Sequence, residues 1–324
     1  MRIAVLGSGA VGGYYGARLA AAGEDVHFLY RSEFEVVRDH GLTIESVDGN
    51  WHGRVNAWNR PDDMPVCDVA LVCFKSAQWP LLPEMLPKVL GDRGAAVCLM
   101  NGLGHEEILA DILGPDRVVA GAAFVCAERG EPGVVKHFAA GALAIAPYFD
   151  EGRDRISGIC HDLSERFAKA GVKCQDLSDG RKVKWGKLLW NVPFSGLSLF
   201  YGGITSDLIL DDPSRAKFAR SLMDEVMQAA SACGVELDPR APDWNFGPTR
   251  AMGAYRPSML VDFQKKRAVE LDPIVAEPLR RGMAAGAKLP LMTELLDGIR
   301  RILAANGVDD GPSVSAIRGS GLGE

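Results

Sequence analysis

The run Gly7-Ser8-Gly9-Ala10-Val11-Gly12 has the glycine spacing with which a backbone takes up a pyrophosphate. It follows the apolar residues Ile3 to Leu6 and opens a helical pattern, and this strand–turn–helix setting gives the spacing its meaning. Gly7 permits the tight turn. Gly9 lets the backbone come close to the ligand, and Gly12, with Gly13 and Gly16 behind it, lets helix and strand pack closely. Phosphates would meet the N–H groups at the start of the helix. A second apolar run ends Phe28-Leu29-Tyr30-Arg31-Ser32. A site selective for NAD carries an acid there for the ribose 2′-hydroxyl. Arg31 instead offers a guanidinium to a 2′-phosphate, with the Ser32 hydroxyl beside it, while Glu33 and Glu35 work against that attraction. The ligand read from these residues is NADP (NADPH).

The elements needed to carry such a loop are present. Strands are expected at Ile3–Leu6, Val26–Tyr30, Val69–Phe74 and Ala96–Met100. The last two are continuous apolar runs, as in strands buried on both faces. Helices are expected at Val11–Ala22, closed by Gly23, and around Leu81–Leu90. This alternation argues for a doubly wound, mostly parallel Rossmann sheet. Further strands are expected at Val118–Cys126, Val134–Phe138 and Leu143–Ala146, then a helix over Arg155–Ala170 and a short strand near Val172–Cys174. Beyond about Ser178 the pattern turns helical: Lys182–Trp190, Ala216–Cys233, Pro257–Gln264, Pro273–Ala285 and Leu291–Ala305. The expected organisation is an α/β Rossmann domain over residues 1–177 and an all-α domain over 178–324. Gly311 to Glu324 is expected to be disordered.

Composition narrows the function. A chain of 324 residues with 47% hydrophobic and 24% charged residues has enough apolar material for two globular domains. The net charge of −6 argues against a nucleic-acid partner. The seven cysteines form no Cys-x-x-Cys pair, so a reducing compartment and no disulfide framework are expected. No zinc spacing occurs, and no metal is expected. His27, His52, His105 and His137 show no carboxylate at helical or strand spacing. No run is long and apolar enough for a membrane span or signal peptide. A cytoplasmic protein is the expectation, with a homodimer as the default.

Four more segments complete a pattern: Cys73-Phe74-Lys75-Ser76, Met100-Asn101-Gly102-Leu103-Gly104, Val183-Lys184-Trp185-Gly186-Lys187-Leu188-Leu189-Trp190-Asn191, and Arg256-Pro257-Ser258-Met259-Leu260-Val261-Asp262 followed by Val269-Glu270-Leu271-Asp272. With the glycine loop and Arg31 they resemble the 2-dehydropantoate 2-reductase (ketopantoate reductase) family, in order, over roughly residues 1 to 305. The resemblance implies an active site in a cleft between the two domains. It also implies that Lys75 and Asn101 contact the ribose and nicotinamide end of the cofactor, and that Ala127 approaches the carboxamide through its backbone. Lys187 is the implied catalytic lysine. Asn191, Ser195, Ser258 and Glu270 are the implied substrate-binding residues, and the implied partner is a small 2-oxo acid.

Reduction of a 2-oxo acid needs a hydride at the carbonyl carbon and a proton at its oxygen, and the protein must supply the proton donor. Lys187 suits that role. Asn191 and Ser195 follow at one and two helical turns, on one face. Pro193 should interrupt that helix and leave the Leu189 carbonyl without its usual partner. Asp272 is expected to cap the next helix, leaving Glu270 to the substrate. The chain also departs from the family pattern. Ser195, Thr205 and Tyr255 stand at asparagine positions, and Gly196 at a proline. A reductase of some 2-oxo acid is therefore a wider expectation than ketopantoate alone. The alternatives are an imine or opine-type reductase on the same scaffold and a non-enzymatic NADP-sensing protein.

Overall fold

The computed structural model describes residues 1–319. Among them the chain forms two compact units. One comprises residues Met1–Met100 and His105–Val183, and the other comprises Asn101–Gly104 and the chain from Lys184 onward.

The first unit is built on a single sheet. Its strands are β1 (Arg2–Leu6), β2 (Asp25–Leu29), β3 (Leu42–Ser46), β4 (Trp51–Gly53), β5 (Asn56–Trp58), β6 (Val69–Val72), β7 (Ala95–Cys98), β8 (Val118–Arg129), β9 (Val134–Pro147) and β10 (Cys174–Asp176). They run in the order β4-β3-β9-β8-β7-β6-β1-β2-β5, with β10 beside β9. From β8 through β7, β6, β1 and β2 to β5 every pairing is parallel. The apolar runs that predicted β6 and β7 are buried at every position, because crossover elements cover both faces of a parallel sheet.

The helix Ala10–Ala21 ends as expected at Gly23. Gly23 takes φ +86°, its N–H donates to the Ala20 carbonyl at 3.0 Å, and Glu24 N–H reaches the Leu19 carbonyl at 3.1 Å. Both are Schellman bonds, which satisfy the last carbonyls of a helix.

Three expectations need correction. Val134–Phe138 and Leu143–Ala146 are one strand, β9, paired antiparallel with β8 along its length. The Ala139-Ala140-Gly141 run resembles a turn in sequence. The ladder absorbs it instead, with register shifts beside Val125 and Ala127 and left-handed φ at Ala140, as a β-bulge allows. The strands β3 to β5, short and partly exposed, were not expected. Finally, part of the tail is ordered: Val314–Gly319 is a helix with Val314 and Ile317 buried. The rest of the expected disordered stretch, residues 320–324, lies outside the described residues.

The second unit is helical, with a core that includes Leu188, Val192, Phe194, Leu222, Ile274, Leu295 and Ile299, and also Leu103. Two of its helices contain a widened turn, at Asn191–Ser195 and at Asp272–Ala276, and each of these turns contains a proline. Proline has no N–H to give to the carbonyl four residues back, and a π turn is a common local solution, often found at functional sites. Among the described residues no helix is long and apolar enough to cross a membrane.

Candidate active site

The glycine loop lies where its spacing required. Gly7 has φ +91°, and a Cβ there would stand 2.7–2.8 Å from the backbone of Cys73 and Phe74. The strand-end loop after β6 thus closes directly onto it. A Cβ on Gly12 would stand 2.4 Å from the Gly7 carbonyl oxygen, so the start of the helix also admits no side chain. Gly9 is different. Its Cβ would meet only the Arg129 Cδ, at 3.9 Å, and the backbone there is open to a ligand. Ser8 Oγ donates to the Leu29 carbonyl at 2.9 Å and so ties the loop to the end of β2. Ala10 and Val11 begin the helix. The open face at Gly9, next to the first turn of a helix, fits a dinucleotide pyrophosphate.

Arg31 follows β2 and is exposed. Glu33, which in sequence weighed against a phosphate at Arg31, is committed elsewhere. It is buried, its carboxylate is ion-paired with Arg129, and it accepts the Gly133 N–H at 3.2 Å. Lys75 is exposed at the end of the loop that covers Gly7. Ala127 sits on β8 next to a register shift, opposite His137.

The other sequence-derived residues lie in the helical unit. Asn101, although it leaves the sheet after β7, belongs there too. Gly102 packs against the Pro273 carbonyl so closely that a Cβ would stand 2.2 Å from its oxygen. The same carbonyl accepts the Leu103 N–H at 2.9 Å. Asn101 Oδ1 in turn accepts from Asn191 Nδ2 at 3.4 Å. A residue implied for the cofactor and one implied for substrate are thus held together, between the two widened turns.

Lys187 is partly exposed. Its Nζ lies 5.7 Å from the centre of the Trp190 ring, within range of a cation–π attraction. Trp190 is anchored by its Nε1, which donates to Thr249 Oγ1 at 2.9 Å, and its ring centre is 5.9 Å from that of Tyr255. Trp190 had no role of its own in the sequence analysis. Its place three residues after Lys187, within one helical turn, was the available signal. The widened turn alters the angular spacing after Asn191, so the strict single face expected for Lys187, Asn191 and Ser195 does not continue through it. Asn191 and Ser195 are both buried.

Ser258 opens the helix Ser258–Gln264 after Pro257 and is partly exposed. Glu270 is buried just ahead of the second widened turn. Asp272 does not cap that helix, contrary to expectation. Its carboxylate takes both arms of Arg280, at 2.8 and 3.0 Å, and the Val314 N–H at 2.8 Å. Thr205 Oγ1 donates to Asp207, and the following Ser206 N–H donates to the Tyr255 carbonyl at 3.0 Å. Two of the three departures from the asparagine pattern are therefore neighbours.

The histidines also differ from expectation. His27 Nε2 lies 2.9 Å from Asp25 Oδ1, two residues back on the same strand face, and burial is the largest influence lowering its pKa. The fold also gathers Cys98, His105 and Glu106, all buried, with potential ligand atoms within 4.8 Å of one another. A structural zinc takes four ligands as a rule, and this group offers three.

The family profile described as "Ketopantoate reductase PanE/ApbA" matches residues 3–149, and its C-terminal counterpart matches residues 179–302. The chain belongs to the ketopantoate reductase family. A 2-dehydropantoate 2-reductase of Nostoc sp. is 36% identical, over 93% of this chain and 96% of that relative. The crystal structure of a 2-dehydropantoate 2-reductase from Geobacter metallireducens GS-15 superposes with a TM-score of 0.87 at 34% identity, covering 93% of this chain and 99% of that one. A D-mandelate dehydrogenase, solved with NADH and anilino(oxo)acetate, shares the fold with a TM-score of 0.85 at 20% identity, over 95% and 100% of the two chains. As a ketopantoate reductase family member the chain is an oxidoreductase acting on a CH–OH/C=O group.

Proposed function

We propose that the protein reduces 2-dehydropantoate, or a 2-oxo acid close to it, to the 2-hydroxy acid with NADPH. The observation that carries this reading is the family match across both halves of a chain that keeps Lys187, Asn191, Ser258 and Glu270.

The nucleotide supplies the hydride. Gly7 to Gly12 take its pyrophosphate, and Arg31 takes the 2′-phosphate, with Glu33 neutralised by Arg129 rather than repelling it. Lys75, Asn101 and the Ala127 backbone serve the ribose and nicotinamide end. Lys187 protonates the carbonyl oxygen and is left as a neutral amine until it recovers a proton from solvent. The Trp190 face limits where that ammonium can swing. Asn191 and Glu270 bind polar groups of the substrate, and Ser258, in the first turn of its helix, suits the carboxylate.

Ser195, Thr205 and Tyr255 favour a shifted substrate. Serine has a shorter arm than asparagine and one hydroxyl in place of an amide. Tyr255 adds an aromatic ring beside Trp190. A less polar or bulkier tail than that of 2-dehydropantoate fits such surroundings. The test is kcat/KM for 2-dehydropantoate against 2-oxo acids lacking its hydroxyl, with NADPH and NADH, each with and without an amine. Reduction of 2-oxo acids without amine, with 2-dehydropantoate accepted but not strongly preferred, is expected. A preference for 2-dehydropantoate of several orders of magnitude would refute the shifted specificity, and turnover that requires amine would refute the carbonyl reaction.

A further inference from the structure

One basic side chain near the glycine loop has no role in the reading above beyond neutralising Glu33. Arg129 ends β8. Its Cδ is the single heavy atom within 4 Å of where a Cβ on Gly9 would stand. Its guanidinium, on a half-exposed side chain, pairs with Glu33, two residues after Arg31. It also acts electrostatically on the Tyr30 hydroxyl, which is buried and has no hydrogen-bond partner among the described residues. Arg129 therefore spans the opening at Gly9 and the turn that follows β2.

We propose that Arg129 is a further cofactor-binding residue, whose guanidinium contacts the dinucleotide pyrophosphate over Gly9. The proposal rests on the nicotinamide-nucleotide reading. A guanidinium presents a planar fork of donors that matches phosphate oxygens. Its five N–H donors let one arm stay with Glu33, which also holds the Gly133 N–H, while the rest of the fork faces the ligand. Glu33 is buried, so an arginine that reaches the ligand without leaving it avoids stranding that carboxylate. The pyrophosphate is chosen over the 2′-phosphate because the arginine stem lies at Gly9, while Arg31 already stands at the strand end.

The test is equilibrium binding, by protein fluorescence or calorimetry, of NADPH, NADH and ADP-ribose. Arg129→Met should weaken all three by a common factor of about tenfold or more, as for loss of a hydrogen bond to a charged group. Arg129→Lys should recover part of it. Glu33→Gln, which releases the arginine, should leave all three as tight or tighter, and it covers the case in which Arg129→Met does not fold. Unchanged affinities in a folded Arg129→Met protein would overturn the proposal, as would a loss confined to NADPH or a general weakening in Glu33→Gln. Failure of the wild type to bind any of the three would instead overturn the cofactor reading itself.

Discussion

In the glycine loop the backbone fixes the local geometry, whereas in the helical unit side chains do. At Gly7 and Gly12 neighbouring main chain occupies the space a Cβ would need, so these two positions tolerate one residue type. In the helical unit the sequence-derived residues and their neighbours are held by side chains: Trp190 by Thr249, Asn191 by Asn101 and Asp272 by Arg280. Such a network can exchange a member and remain packed. Ser195, Thr205 and Tyr255 lie in this unit, and under the proposed function they are where substrate preference can change while the glycine loop stays fixed.

The largest expected effect tests the side-chain half of this contrast. Lys187→Met should lower kcat by about 100- to 10,000-fold, the range for loss of a general acid, with nucleotide affinity nearly unchanged. Near-normal turnover would mean that the proton comes from elsewhere. The backbone half is tested by two substitutions that look alike in sequence. Gly7→Ala forces an unfavourable φ and a backbone clash and should cost about 3 kcal/mol of stability, seen as a clear fall in Tm. Gly9→Ala has room and should leave Tm within a degree or two of wild type, on the order of what a ~0.5 kcal/mol change gives, while weakening nucleotide binding. Equal melting points would remove the distinction. The last expected effect is at the surface: Arg31→Asp should weaken NADPH by roughly 1.5–3 kcal/mol and leave NADH little affected. Calorimetry with both nucleotides reads this directly, and a wild type that binds them equally would already contradict it.

What could be read in advance follows the same division. The glycine loop, β6, β7 and the Gly23 stop are set by residues within one turn or one strand of each other, and local pattern shows them. The place of Asn101 to Gly104 is set by Pro273 and Val314, far along the chain, and no window of sequence holds both sides of that contact. Pro193 announced an interruption, but not that the helix would widen and continue with Ser195 buried. Asp272 had the residue type of a cap. The N–H of Val314 and the two arms of Arg280, brought to it only by the fold, took its carboxylate instead. The pairing of Glu33 with Arg129 was hidden for the same reason, so in sequence the acid near Arg31 counted as an unpaired charge.

Val314 has a consequence for how the chain is made. Its side chain fills the space over Gly104, where a Cβ would stand 2.3 Å from it, and its N–H satisfies Asp272. Gly104 leaves the ribosome long before either partner. During synthesis the Asn101–Gly104 loop must therefore wait, first for Pro273 and then for Val314. The sheet of the first unit can form in the meantime, since its last strand, β10, is complete by Asp176. The helical unit cannot close over that loop until the segment carrying Val314 has emerged, so its final packing is an event of the nearly finished chain.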